Sequence, residues 1–427
     1  MRKNLKKLAA LGLAFVMGAA LLAGCGNGKG ESSGSGGKTK LTFGIWDENQ
    51  RPAMEALVDA YEAEHKDVTV EIQLTPYKGS EYWTKLEASA TGGKAPDVFW
   101  LNVLHVDSYV DGGILADLTD AIADSDIPDN YSETLIDNYV RDGANYAVPK
   151  DFDTNALWYN KEIFDAAGVA YPTDDMDYED LKALALELQA AGLEDGVYPF
   201  ACPVDFQTWY YQTIYANGGW ILNDDATETG YADAKTQEGI QCWIDFIEAG
   251  LSPKASALAE TTPDAMFSGG QLAMNFAGSY MVPEYAGNDA IADKVDCVEI
   301  PTFNGVEDNC INGLGYAVYE GSKNKDAATE FAIWLGSEEA MKIQGETGVV
   351  ISARTDAQKY FAEANPDYNL AAYTNHADEA YPLPVCLKAA ELYDLESTWL
   401  TKAYTGEMTL EDACKELKTE ADALLAK

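Results

Sequence analysis

Basic residues are scarce in this sequence: 29 Lys and Arg stand against 71 Asp and Glu over 427 residues, a formal net charge of −42. A chain so charged repels phosphate backbones and anionic headgroups, which argues against nucleic acid as a partner. Histidine is scarcer still, with only His65, His105 and His376, each isolated, so a histidine-based zinc site or a Ser/His/Asp triad is hard to assemble. The seven cysteines show no CxxC and no metal-like spacing. Outside the cytoplasm they are permitted, not required, to pair. The acidic run Asp174 to Asp180 lacks the glycine of a calcium loop and reads as the solvated start of a helix. No metal and no cofactor is expected. Long apolar runs are absent too: Leu8 to Ala23, about 16 residues, falls short of the roughly 20 needed to span a bilayer.

That run follows Arg2, Lys3, Lys6 and Lys7, which is the pattern of an export signal. It ends in Leu22-Ala23-Gly24-Cys25, which resembles the bacterial lipoprotein cleavage box. The resemblance implies that residues 1–24 are removed and that Cys25 becomes a lipid-modified N-terminus. The chain is then anchored to a membrane without spanning it, on the outer face of the bacterial plasma membrane. Residues 25–39, rich in Gly and Ser, form a flexible tether. Gly30-Glu31-Ser32-Ser33-Gly34 and Gly37-Lys38-Thr39 mimic a nucleophile elbow and a phosphate loop, but neither has a strand before it.

Beyond the tether the pattern alternates. Leu41 to Ile45 reads as a strand, Asn49 to His65 puts Met54, Leu57, Val58 and Tyr61 on one helical face, and Val68 to Leu74 alternates at period two. This βαβ order predicts a parallel sheet. Further strands are expected at 97–101, 146–149, 197–201 and 271–276, and helices at 181–193, 234–249 and 327–335. The fold class is α/β.

In open α/β sheets the ligand crevice lies beyond the carboxyl ends of the strands. Those ends carry Trp46-Asp47-Glu48, then Trp100 with Asn102, then Lys150-Asp151-Phe152-Asp153, then Gly278-Ser279-Tyr280. Rings mixed with carboxylates and amides suit a neutral, hydroxyl-rich ligand such as a pyranose. Its C–H face lies on an aromatic ring, and its hydroxyls both donate and accept. Trp158, Trp243, Trp334 and Trp399 fall inside helix or strand patterns and are assigned to the core.

With these residues in view, the chain resembles the family 1 extracellular solute-binding proteins of ABC importers, the broad sugar-binding class that includes maltose-binding protein. The marks are Ala95 to Trp100, Tyr146 to Phe164, Ser268 to Met274, and Gly313 to Val318 followed by a Lys-rich turn and an amphipathic helix. The resemblance implies a two-lobe periplasmic-binding-protein-like (type II) fold with hinge strands and an interlobe cleft. One lobe comprises 40–152 and 303–350, the other 153–302 and 351–427. Crossings are expected near Phe152 to Asn155 and Ile300 to Phe303, and a third near Val350. It also implies that the cleft is lined by Trp46, Asp47, Trp100, Asn102, Asp151, Asp153, Trp209, Tyr280, the Gly313 and Gly315 backbone, and Arg354. Tyr280 stands where many relatives carry Trp.

The function so implied is capture of a sugar or short oligosaccharide by hinge closure and delivery to the permease subunits of an ABC importer, by a monomer that is not an enzyme. Two rivals remain: the same fold holding a peptide, polyamine or other cation, and a secreted glycoside hydrolase built on paired carboxylates.

Overall fold

Leu41, Phe43 and Ile45 alternate with smaller or polar residues, and all three are fully buried in the first strand, β1 (Thr39–Ile45). This is a computed structural model, and it describes residues 38–77, 81–306 and 309–426. The expected signal and lipidation site, Cys25 included, lie outside the described residues. Thr39, taken as the end of the tether, already pairs in the sheet.

Next come α1 (Arg51–Glu64), β2 (Val68–Leu74), α2 (Glu81–Thr91) and β3 (Val98–Asn102). After them the chain forms β4 (Ala147–Pro149), β5 (Asp151–Phe152) and β6 (Asn155–Asn160). The helices α3 (Tyr178–Ala191) and α4 (Ala234–Glu248) precede β7 (Met274–Gly278), β8 (Val295–Val298) and β9 (Leu314–Val318). The chain closes with α5 (Lys325–Leu335), α6 (Glu338–Glu346), β10 (Ile351–Ser352), α7 (Ala389–Tyr404) and α8 (Leu410–Leu425).

The first sheet runs β2-β1-β3-β9-β4. β1 is parallel to β2 and β3, as a βαβ unit requires, whereas β9 returns antiparallel between β3 and β4 with Tyr316 opposite both Trp100 and Val148. On one face α1 presents Met54, Leu57, Val58 and Tyr61, and Phe331 of α5 packs on Phe43 and Tyr61 at ring distances of 5.6 and 4.7 Å. On the other face α2 buries Tyr82, Trp83 and Leu86. β3 is therefore covered on both sides, and its first four residues are buried without alternation.

The parallel pairing expected of the βαβ unit does not extend to the second sheet, β8-β6-β7, which is antiparallel throughout. Residues 197–201 were expected to be a strand but contribute only a bridge from Tyr198 to Leu272. The acidic cluster before α3 is a helix start: Asp177 accepts from the Asp180 amide at 2.8 Å while Asp180 caps it in return.

Three segments pass between the sheets. The first is Lys150 to Asn155. The second was expected near Ile300 to Phe303, but Thr302 still pairs with Met176 and Phe303 packs on Tyr178. It runs instead through Asn312 to Leu314, where Asn312 and Asp153 exchange backbone hydrogen bonds at 3.0 and 2.8 Å. The third comes after β10, which is antiparallel to β5. Past β10, Arg354 bridges to Tyr131 and the helical turns over 355–364 pack on α6, whereas Leu370–Tyr373 packs on β6 and β8, so the change of half expected at 351 comes later in the chain.

α7 carries Glu396, which is fully buried and accepts the hydroxyls of Tyr210 and Tyr211, each at 2.9 Å. Burial raises its pKa to about 7 against the tyrosine hydrogen bonds. The folded state thus holds a proton between about pH 4.5 and 7 that the unfolded chain has lost, so this contribution is complete below the unfolded pKa and disappears as pH rises through 7. Melting at pH 5.5 is expected above melting at pH 8, with Glu396 accounting for about 2 kcal/mol of the difference. Glu396→Gln is expected to flatten the profile; an unchanged slope in calorimetry contradicts this assignment.

Candidate functional site

The carboxyl ends of β1, β3 and β7 and the crossing segments surround a cavity of about 1230 Å³. One wall is aromatic. Trp46, one residue past β1, stands edge-on to Trp83 at 5.5 Å and to the buried Trp100 at 5.1 Å, with Tyr77 6.1 Å away. His105 stacks on Trp83 at 3.8 Å, and burial lowers its pKa to about 4, so it is neutral. The second half contributes Tyr280, Phe206 and Tyr393. The Tyr280 ring folds back over Gly278, where any Cβ would stand 2.2 Å from it, so a larger residue there would displace the ring.

A polar network ties the crossings to the wall. Lys150 is fully buried, donates to Gln50 Oε1 at 2.8 Å, pairs with Asp151 Oδ2 and lies 4.6 Å from the centre of the Trp100 ring. Gln50 in turn donates to Asp47 Oδ2 at 3.0 Å. Asp151 Oδ1 accepts the Leu314 amide at 3.0 Å, so both of its oxygens are engaged. Asp153 has no such cation. Its Oδ2 accepts from Gln207 Nε2, and Gln207 Oε1 accepts from Asn312 Nδ2 at 3.1 Å. Burial first and the neighbouring Asp151 second raise the Asp153 pKa to about 7. Gln207 belongs to a π-helical turn, Phe206–Tyr210, capped by Asp205, whose Oδ1 accepts the Thr208 amide at 3.1 Å.

The family model for bacterial extracellular solute-binding proteins matches residues 46–342. The chain belongs to that family. Among curated relatives, the diacetylchitobiose binding protein DasA of Streptomyces coelicolor is 28% identical over 76% of this chain and 76% of its own. The galactooligosaccharide-binding protein of Bacillus subtilis is 24% identical, covering 76% of this chain and 75% of its own. Among solved structures, an ABC substrate-binding protein from Listeria monocytogenes in complex with cycloalternan superposes with a TM-score of 0.83 at 26% identity, over 91% of this chain and 99% of that one. Maltose-bound MalE3 of T. maritima shares the fold, with a TM-score of 0.78 at 19% identity over 90% and 100% of the two chains. The fold is the α/β, two-lobe type II architecture of periplasmic binding proteins. Family and fold are those of extracellular binding proteins rather than enzymes.

Of the side chains expected in the cleft, the structure brings together Trp46, Asp47, Asn102, Asp151, Asp153 and Tyr280. It places Trp100, Trp209 and Arg354 elsewhere. Trp100 is fully buried behind Trp46. Trp209 is buried in the second half, its Nε1 donating to the Ala201 carbonyl at 3.0 Å. Arg354 is buried against Asp126 and Asp356, 2.9 Å from each. Gly315 serves packing, since a Cβ would lie 2.8 Å from that of Ala147, and at Gly313 one would lie 2.6 Å from the Asp151 carbonyl oxygen. Tyr77, Trp83, Asp205, Gln207, Tyr393 and Asp394 line the cavity and were missed. Tyr77 had a readable signal, because it follows the carboxyl end of β2 just as Trp46 follows β1.

Proposed function

We propose that this chain captures a sugar or short oligosaccharide in the cavity between its two halves and delivers it to the permease of an ABC importer. The observation that carries this reading is the composition of the cavity. Rings from both halves face a gap that also offers carboxylates, amides and hydroxyls, the combination that a pyranose with one apolar face and a hydroxyl rim requires. Relatives that bind diacetylchitobiose and galactooligosaccharides support it. The open halves close about the three crossings because a bound sugar gains contacts on both sides only when they approach, and only such differential affinity shifts the population. The lipid on Cys25 holds the receptor, as a monomer, near its permease on the outer face of the plasma membrane.

The chemistry is capture without bond breaking. Asp151 is tied to Lys150 and the Leu314 amide and is not free to act as a nucleophile. A thermal-shift screen over mono- and oligosaccharides, amino acids and polyamines tests the ligand class: saturable stabilisation by a sugar, with no turnover of chromogenic glycosides, is the expected result. Stabilisation by amino acids alone would overturn the reading. Within it, Trp46→Ala is expected to weaken sugar binding by about 2 kcal/mol, or about 30-fold, the value of one lost ring face. Isothermal titration checks this, and equal affinity would remove Trp46 from the site.

A further inference from the structure

We infer that Gln207 is a positioning residue of the site: it holds one oxygen of the Asp153 carboxylate and so presents the other to the cavity as an acceptor for a sugar hydroxyl. The inference rests on the carbohydrate reading above and deepens it. Its first support is a closed ring of hydrogen bonds. Asp153 and Asn312 exchange backbone bonds where the first two crossings meet. Asn312 Nδ2 donates to Gln207 Oε1 at 3.1 Å, and Gln207 Nε2 donates to Asp153 Oδ2, which closes the ring. An ionised carboxylate can only accept, so the direction of each side-chain bond is fixed. The Gln207 carbonyl is held as well, accepting from Asn155 Nδ2 at 3.2 Å, at the start of β6. Gln207 is therefore anchored to both crossings and has no second acceptor to turn to.

The second support is the oxygen left over. Asp153 is half-buried and lines the cavity beside Gln207. Its Oδ1 has no donor among the described residues, yet it is not sealed from solvent. Asp151 shows the contrast, with one oxygen on Lys150 and the other on the Leu314 amide. A half-buried carboxylate with a single amide donor is costly, and a ligand hydroxyl supplies the missing bond. The titratable groups within reach of its charge are Asp151, Lys150, Tyr139 and Tyr280, and the one cation among them is spent on Asp151. Burial and then Asp151 bring the Asp153 carboxyl up to about 7, against the Gln207 bond, which favours the ionised form. A hydroxyl donated to Oδ1 favours that form too. Sugar affinity is then full above about pH 7 and falls as pH drops through it.

The test has two arms, on variants first shown to be folded by their melting temperatures. In the sugar-free protein, isotope-labelled at the aspartate carboxyl carbons, the resonance that Asp153→Asn removes is expected to titrate near pH 7. Gln207→Leu is expected to raise that midpoint by about half a pH unit or more, and Gln207→Glu, which keeps the size but sets a second carboxyl against Asp153, to raise it further. Isothermal titration with maltotriose, galactobiose and diacetylchitobiose then follows affinity against pH. Wild type is expected to lose about tenfold between about pH 8 and about pH 6, the effect of one proton. Gln207→Leu is expected to reach its plateau only at higher pH, and Asp153→Asn to bind more weakly with a flat profile. Glu396→Gln, which alters stability over the same range, is expected to leave the binding profile in place. A midpoint that both Gln207 variants leave unmoved, or an affinity they lower by one factor at every pH, would overturn the positioning role and leave the carbohydrate reading standing. Binding of none of the three sugars at any pH would instead count against the carbohydrate reading and end the role in binding, even with the midpoint displaced.

Discussion

Trp100→Ala is expected to lower the free energy of unfolding by about 3–5 kcal/mol, the range for truncating a large aromatic in a packed core. The ring is fully buried between β1 and β9, meets Trp46 edge-on at 5.1 Å and lies under the Lys150 ammonium. Its indole nitrogen has no hydrogen-bond partner, so Trp100→Phe loses no bond and is expected to retain most of the stability, at a loss of about 1–2 kcal/mol. Urea denaturation of the three proteins decides the matter. A Trp100→Ala protein as stable as wild type would return Trp100 to the cleft surface, where the sequence alone had set it.

Lys150→Met is the second large effect. Among the described residues Lys150 is the one cation paired with Asp151, and both are buried where the first crossing meets Leu314 and β10. Removing it leaves a carboxylate out of water with only the Leu314 amide on it, and breaking a buried pair in this way costs about 3–5 kcal/mol. The double variant Lys150→Met/Asp151→Asn is expected to recover part of that loss, because the orphaned charge is gone. Denaturation of the single and double variants measures the coupling. If the two single effects simply add, the pair is not the anchor of the crossings.

How far the site could be read from the sequence follows from these same residues. A strand that ends at a known place delivers its next side chain to the crevice, and this located Trp46, Asp47, Asn102 and Tyr280. It failed inside β3, where burial on both faces removes the period-two signal that would separate an inward Trp100 from a lining one. Arg354 follows β10, yet its side chain turns away to Asp126, a partner more than two hundred residues earlier that no local pattern reveals. Tyr393 and Asp394 belong to a helix whose exposed and lining faces look alike in sequence, and only the tertiary fold brings them to the cavity. The crossing at Asn312 to Leu314 was misplaced by about ten residues for a related reason. Thr302 and Phe303 carry a strand-like pattern but pack against the second half, and the hand-over is decided by backbone pairing with Asp153.

The most direct check is a calorimetric titration of the intact protein, beside Trp46→Ala, with the oligosaccharide that best stabilises it. One molecule bound per chain, unaltered on recovery and held at least tenfold more weakly by the variant, is the predicted result. Identical affinity in the two proteins, or release of a shorter sugar, would contradict the account.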